Sequence, residues 1–185
     1  MKKVALFLAH GTEEGEAVIH IDLYRRAGIE ITTFSIEETL EIDSAHNVTI
    51  TADDYIRNMD IADYDMLFVP GGGKGVERMY ENEILSEALT AYNQTDGILG
   101  AVCAGPTVLG KLGLLDGKNA TVFPGWEDRL GNANYINEPV IIDGKTVTAK
   151  GLGACIPQAL KLIETLVDRE TADRVKDDIQ YPFDY

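Results

Sequence analysis

Three short apolar runs, at 4–9, 66–69 and 98–102, each end in a turn rich in small residues, and each then gives way to a helical pattern. The turns are His10-Gly11-Thr12, Pro70-Gly71-Gly72-Gly73 and Cys103-Ala104-Gly105-Pro106. A run that is apolar at every position has no solvent face. It reads as a strand buried on both sides, which is the habit of parallel sheets. Such strands alternating with helices predict an α/β fold, with a mainly parallel sheet and helices on both faces. In open sheets of this kind ligands bind beyond the carboxyl ends of the strands, so the three turns are where chemistry is expected.

The remaining pattern fits one domain over 1–185, with a core at about 3–176 and a loosely tied tail at about 177–185. Glu13, Glu14 and Glu16 suit the first turn of a helix that continues through Ala17, Ile21 and Tyr24 and stops at Gly28. A strand follows at 29–36, and a helix is predicted over 76–92. Residues 140–142 and 146–148 flank Asp143-Gly144-Lys145, a hairpin signal, and 41–50 is expected as a second antiparallel addition. Pro157 suits the first turn of a last long helix ending near Val167.

Charge narrows the partners. There are 31 acidic residues against 16 basic, a formal net charge of −15. That field repels a phosphate backbone and an anionic membrane surface, so neither nucleic acid nor membrane is expected, and a small neutral substrate is easier to accept. No segment is long enough to span a bilayer, and the apolar start runs into Glu13, Glu14 and Glu16 rather than a cleavage site. Two cysteines, Cys103 and Cys155, make no disulfide framework and no CxxC pair. A reducing cytoplasm is the expected compartment. No His–carboxylate cluster stands at metal spacing, so no metal and no cofactor is expected.

Cys103 sits where a strand turns abruptly into a helix, with Ala104 and Gly105 small enough to permit the turn. This is nucleophile-elbow geometry, although the GxSxG wording is absent. Free helix N–H groups there favour a thiolate and are expected to lower its pKa. A lone cysteine is more often a packing residue, but packing does not require Ala-Gly-Pro after it. The glycines after Pro70 let backbone N–H groups approach a reacting oxygen, where a plain tight turn is the bland alternative. They match neither a phosphate loop nor a dinucleotide fingerprint. Glu16 begins the first helix at the end of the first strand, where dipole complementation is the ordinary role. Facing Cys103, it would be kept protonated and donate to the thiolate. His10, in the adjoining turn, is a further candidate; His20 and His46 read as surface or core filler.

Gly11-Thr12-Glu13-Glu14-Gly15-Glu16-Ala17, Val69-Pro70-Gly71-Gly72 and Ala101-Val102-Cys103-Ala104-Gly105-Pro106, in this order, resemble the ThiJ/PfpI superfamily. Asp22-Leu23-Tyr24-Arg25-Arg26-Ala27-Gly28-Ile29 and Phe123-Pro124-Gly125 are similar to its ThiJ/YajL branch, which includes the human Parkinson's-disease protein of the family. The resemblance runs over about 3–176. It implies a flavodoxin-like three-layer sandwich, usually a homodimer, for which the helix carrying Ala17 and Tyr24 is a candidate face. It implies Cys103 as an easily oxidised nucleophile, Glu16 as its protonated partner, and an oxyanion pocket from the N–H groups of Gly72 and Ala104. Gly71, Gly105, Phe123, His10 and His46 are the weaker binding candidates.

Members of the superfamily act as glutathione-independent glyoxalases and protein deglycases, oxidative-stress sensors and holdase chaperones. The resemblance therefore implies a cofactor-free activity on methylglyoxal or glycated side chains through a hemithioacetal at Cys103, with redox sensing or chaperoning as the alternative. An inert folded binding protein is the third possibility. Phe123 stands where the human-like pattern has His, as it does in bacterial relatives, and His46 stands where an Arg often approaches the oxidised cysteine. Gly151-Leu152-Gly153-Ala154 replaces the usual GPGT, and Cys155 after it reads as a buried small residue. Ala104 occupies the place of the peptidase histidine, and no His lies downstream of Cys103, which rejects peptidase and amidotransferase activity.

Overall fold

Along β1 (Lys3–Leu8) alternate side chains enter two different cores. Val4, Leu6 and Leu8 join one, with Met66 and Phe68; Ala5 and Phe7 join the other, with Leu67 and Val69. This is the period-2 alternation of a strand, with both faces dry, and it explains why the run carries no polar residue. Each fully buried Leu or Phe contributes about 1.5–3 kcal/mol relative to exposure.

The computed structural model describes residues 1–185. After β1 come α1 (Glu14–Arg26), β2 (Glu30–Ser35), β3 (Glu41–Asp43), β4 (Thr49–Thr51) and β5 (Asp54–Tyr55). β6 (Met66–Val69), α2 (Gly73–Glu81), α3 (Glu83–Tyr92), β7 (Ile98–Val102) and α4 (Pro106–Lys111) follow. The chain closes with β8 (Asn119–Ala120), β9 (Asn134–Tyr135), β10 (Val140–Asp143), β11 (Thr146–Ala149), α5 (Cys155–Leu166) and α6 (Arg169–Asp178). Seven strands form one sheet in the order β10-β11-β7-β6-β1-β2-β5, in which only β10 runs antiparallel. Helices α1, α5 and α6 cover one face, and α2, α3 and α4 the other. The α/β class and its mainly parallel sheet are as the buried runs predict. β3 and β4 pair antiparallel as a separate hairpin, and β8 and β9 form a second small sheet that the pattern did not reveal.

The helix predicted over 76–92 is two helices. Asn82 leaves the helical region (φ −85°, ψ 108°), and its side-chain oxygen accepts from Leu85 N–H to start α3. Its amide nitrogen donates to the Ile36 carbonyl, so the break is tied to the sheet. The helix predicted over 158–167 begins earlier, at Cys155, and carries Pro157 in its first turn. It is not the last, because Asp168 caps α6 through Thr171 N–H. Beyond α6 the Tyr185 hydroxyl donates to Asp173, and Arg169 lies over the Tyr185 ring.

β7, β6 and β1 are adjacent in the sheet and parallel, so their carboxyl ends open side by side. Cys103, Gly71-Gly72 and Gly11-Thr12 are thereby brought together from three distant stretches of sequence. Replacing Asn82 by Ala should remove the α3 cap and the bond to Ile36 at a cost of about 1–2 kcal/mol. A lower urea midpoint with an unchanged slope is the expected result.

Candidate active site

Cys103 has a φ of +60°, in the left-handed region where a non-glycine residue costs about 1 kcal/mol. The strain is held from both sides. Cys103 N–H donates to the Ala149 carbonyl of β11, and the Cys103 carbonyl accepts from Phe123 N–H. The next turn fits only because Gly105 lies against the carbonyls of Val69, Pro70 and Val102, where a Cβ would come within 2.4–2.9 Å of oxygen. Gly105 is thus a packing glycine of the elbow. The thiol is half-buried, and the N–H groups of Ala104 and Gly72 point at its sulfur.

Glu16 is buried in the first turn of α1 and reaches across to the same place. Its Oε2 accepts from Gly71 N–H at 2.8 Å, and its carboxyl hydrogen-bonds the Cys103 thiol. Gly71 lies between them: a Cβ there would stand 2.5 Å from Glu16 Oε2 and 2.6 Å from Cys103 Cβ. Gly72, at φ +97°, presses against the Gly11 carbonyl and Glu13 nitrogen, and Glu13 N–H donates to the Gly71 carbonyl.

Burial, with a contribution from the Glu13 charge, raises the Glu16 carboxyl from 4.5 to about 7, against the pull of Cys103 and the Gly71 N–H. Burial and the Glu16 carboxylate push the Cys103 thiol up, against the pull of the Ala104 and Gly72 N–H groups. This corrects the expectation of a thiol lowered by the helix start. The N–H groups do favour the thiolate, but desolvation and the neighbouring anion outweigh them while Glu16 is ionised. The two groups therefore act as a pair that holds one proton and one negative charge.

The remaining candidates separate. His10 Nδ1 accepts from Asp43 N–H at 3.0 Å, and His10 N–H donates to Glu37, so His10 pins the β3–β4 hairpin. That hairpin delivers His46 to the start of α1, where its Nδ1 lies 3.3 Å from Glu13 and 3.2 Å from Glu14. Sequence spacing gave no sign of this His–carboxylate cluster; only the fold joins positions some thirty residues apart. Its ligand atoms lie within 4.8 Å of one another, which makes it the one group of side chains with metal-binding spacing. Burial pushes Glu14 up, but its own N–H, Ser44 and His46 outweigh that and hold it below the usual carboxylate range.

Phe123, 46% exposed, packs its ring toward Gly151. With Pro124, Pro139, Lys150 and Leu152 it lines a groove of about 460 Å³ beside the elbow, which sequence reasoning missed. Cys155 is fully buried, with Sγ 3.8 Å from the Gly151 carbonyl. Ala17 and Tyr24 of α1 face the core, and the outward apolar residue of that helix is Val18.

A Gly71→Ala substitution should displace Glu16 or the elbow and slow Cys103 alkylation by about 10²-fold while the circular dichroism spectrum is retained. A carboxyl raised from 4.5 to about 7 on folding stabilises the fold below pH 4.5, and the contribution is lost as pH rises toward 7. The shift corresponds to about 3 kcal/mol. Glu16→Gln should flatten that part of the stability–pH profile, as measured by denaturation at a series of pH values.

Comparison with known proteins identifies the family. The DJ-1/PfpI family model matches residues 2–165. The chain is similar to Protein DJ-1 homolog B of Arabidopsis thaliana, with 36% identity over 94% of this chain, and it spans 40% of that protein's length. It is 29% identical to glutathione-independent glyoxalase DJR-1.2 of Caenorhabditis elegans over 89% of each protein. The structure of oxidised Toxoplasma gondii DJ-1 superposes with a TM-score of 0.94 at 34% identity, covering 99% of this chain and 100% of that one. The chain belongs to the DJ-1/PfpI family.

Proposed function

We propose that this protein is a cofactor-free enzyme that converts methylglyoxal, or its adducts on side chains, through a hemithioacetal at Cys103. The observation that carries this reading is the buried Glu16 carboxyl sharing a proton with a half-exposed thiol at which two backbone N–H groups are aimed. The printed name of the Caenorhabditis elegans relative supports it.

Within the singly protonated pair, passing the Cys103 proton to Glu16 moves the negative charge to sulfur. The thiolate attacks the aldehyde carbon, forming the C–S bond and placing the π-electron pair on oxygen. The N–H groups of Gly72 and Ala104 are the donors for that oxyanion, which takes the Glu16 proton. Glu16, now a carboxylate, removes the proton from the former aldehyde carbon and returns it to the adjacent carbonyl carbon, while the hydroxyl proton on the first carbon passes to the oxygen of the second, so that the first becomes a carbonyl and the second a carbinol. The product is a 2-hydroxyacyl thioester, with one carbon oxidised and its neighbour reduced. Water cleaves the C–S bond, releasing lactate and restoring the thiol.

The motifs around Asp22 and Phe123 support placement on the ThiJ/YajL-like branch, and a homodimer is the proposed assembly, with exposed Val18 and Leu152 as its apolar patches. No helix is long and apolar enough to cross a membrane; a cytoplasmic site of action belongs to the same proposal. A redox-sensing role is the second reading. The N–H groups that face the sulfur, and Glu16, would equally hold a sulfinate, and the Toxoplasma gondii structure is of an oxidised protein.

Glutathione-free lactate formation from methylglyoxal tests the enzyme reading. Turnover should fall by at least about 10²-fold in Cys103→Ser and in Glu16→Gln. No turnover above buffer, together with fast peroxide oxidation of Cys103, would transfer the assignment to redox sensing.

A further inference from the structure

The two N–H groups aimed at the Cys103 sulfur belong to residues that lead into two helices. Gly72 immediately precedes α2, and Ala104 stands two residues before α4. The helices are joined by a pair of hydroxyls that the proposed mechanism does not use. The Thr107 hydroxyl, fully buried in the first turn of α4, donates to the Ala104 carbonyl at 2.6 Å, beside Thr107 N–H at 3.1 Å. Its one proton is engaged there, so it accepts from the Tyr80 hydroxyl, which donates to it from the last turn of α2. Tyr80 is gripped again one turn along α4. Lys111 Nζ donates to the Tyr80 carbonyl at 2.8 Å and lies 5.0 Å from the centroid of its ring.

A hydroxyl bonded to a carbonyl three residues back is common in a first helical turn and by itself says little. Tyr80 makes this one specific. Tyr80 O–H, Thr107 O–H and the Ala104 carbonyl form a chain in which both donors point the same way, so each bond strengthens the next. The end of the chain is where placement matters. Ala104 follows a residue held at φ +60°, and its N–H reaches the sulfur only while Ala104 keeps its place.

We propose that Tyr80 and Thr107 are positioning residues that act through the Ala104 carbonyl to hold the Ala104 N–H on the Cys103 sulfur, with α2 as the strut that sets it against the Gly72 N–H. This deepens the reading of Cys103 as a carbonyl-directed nucleophile and rests on it. Neither residue touches the reacting atoms. In the singly protonated pair the share of charge on sulfur depends on these two N–H groups. An Ala104 N–H that drifts lowers that share and loosens the hold on the oxyanion. The first ionisation of the pair, carried by Glu16, stays where it is.

Alkylation of Cys103 by iodoacetamide across a pH series reads this without turnover, in a Cys155→Ala protein with a single thiol. Thr107→Val should lower the plateau rate about tenfold while the midpoint of the profile is unchanged. Tyr80→Phe, which leaves the Thr107 bond to Ala104, should lower it about threefold. Thr107→Ser restores the hydroxyl and should stay within about twofold of the parent. The double variant Tyr80→Phe/Thr107→Val should be no slower than Thr107→Val alone, because one chain is broken either way. In lactate formation from methylglyoxal, kcat should fall with KM unchanged, the mark of a contact made in the transition state.

Parental plateau rates in both Tyr80→Phe and Thr107→Val, with only the urea midpoint lowered, overturn the positioning role and leave the nucleophile reading intact. A Thr107→Ser protein as slow as Thr107→Val overturns it too, since the hydroxyl would then not be what acts. A parent thiol inert to iodoacetamide at every pH overturns the nucleophile reading and the positioning role with it.

Discussion

The hydrogen bond from Gly71 N–H to Glu16 Oε2 is the contact on which the site depends. It spans 55 residues of sequence and joins the end of β6 to the start of α1. It exists only because Gly71 has no side chain, since a Cβ would overlap both the carboxyl and the Cys103 Cβ. The same absence lets β7 deliver Cys103 against the Gly71-Gly72 backbone. Fold and site thus meet at one residue: parallel strands place three turns side by side, and a missing methyl group lets their contents touch.

The electrostatics follow from that crowding. A carboxyl and a thiol forced together in a desolvated pocket cannot both ionise, so the cost of a second negative charge keeps one proton in the pair. The backbone donors then determine how the remaining charge is divided. Gly71 N–H favours it on Glu16, whereas Gly72 and Ala104 N–H groups favour it on sulfur. The charge rests by preference on Glu16, because the thiol is pushed up further than the carboxyl, and sulfur gains it by handing its proton to that carboxylate. A histidine base would be redundant here, which is consistent with Phe123 facing the groove and with His10 spent on the hairpin.

What the sequence made legible is what local chemistry controls. Unbroken apolar runs disclosed β1, β6 and β7 at the centre of the sheet, and small residues after them disclosed the elbow and the glycine turn, whereas the two-residue edge strand β5 left no such trace. Cys103 and Glu16 stood out for the same reason, each being an unusual residue at a strand's carboxyl end. What stayed hidden depends on distant partners. Asn82 breaks a helix that its own neighbours would continue, because its side chain is claimed by Leu85 and by Ile36 across the sheet. His46 meets Glu13 and Glu14 only after β3 and β4 have paired and His10 has fastened their loop. The raised thiol was missed because the helix start was weighed without the carboxylate that opposes it.

The two cysteines show why position in an element does not define a reactive thiol. Both stand at a strand-to-helix or turn-to-helix junction, Cys103 before α4 and Cys155 at the first residue of α5. Burial raises both thiols, so a shifted pKa does not separate them. Surroundings do. Cys155 is wholly enclosed, its thiol donates to the Gly151 carbonyl, and the charges of Glu16 and Glu13 oppose a thiolate there. Cys103 is open to solvent on one side, has two N–H donors at the sulfur and touches a carboxyl that can take or give its proton. A thiolate formed at Cys155 would have neither a donor to hold it nor a path to an electrophile. Reactivity in this fold is therefore assigned by backbone donors and access rather than by helix polarity, and the strain at φ +60° is the cost of presenting Cys103 to both.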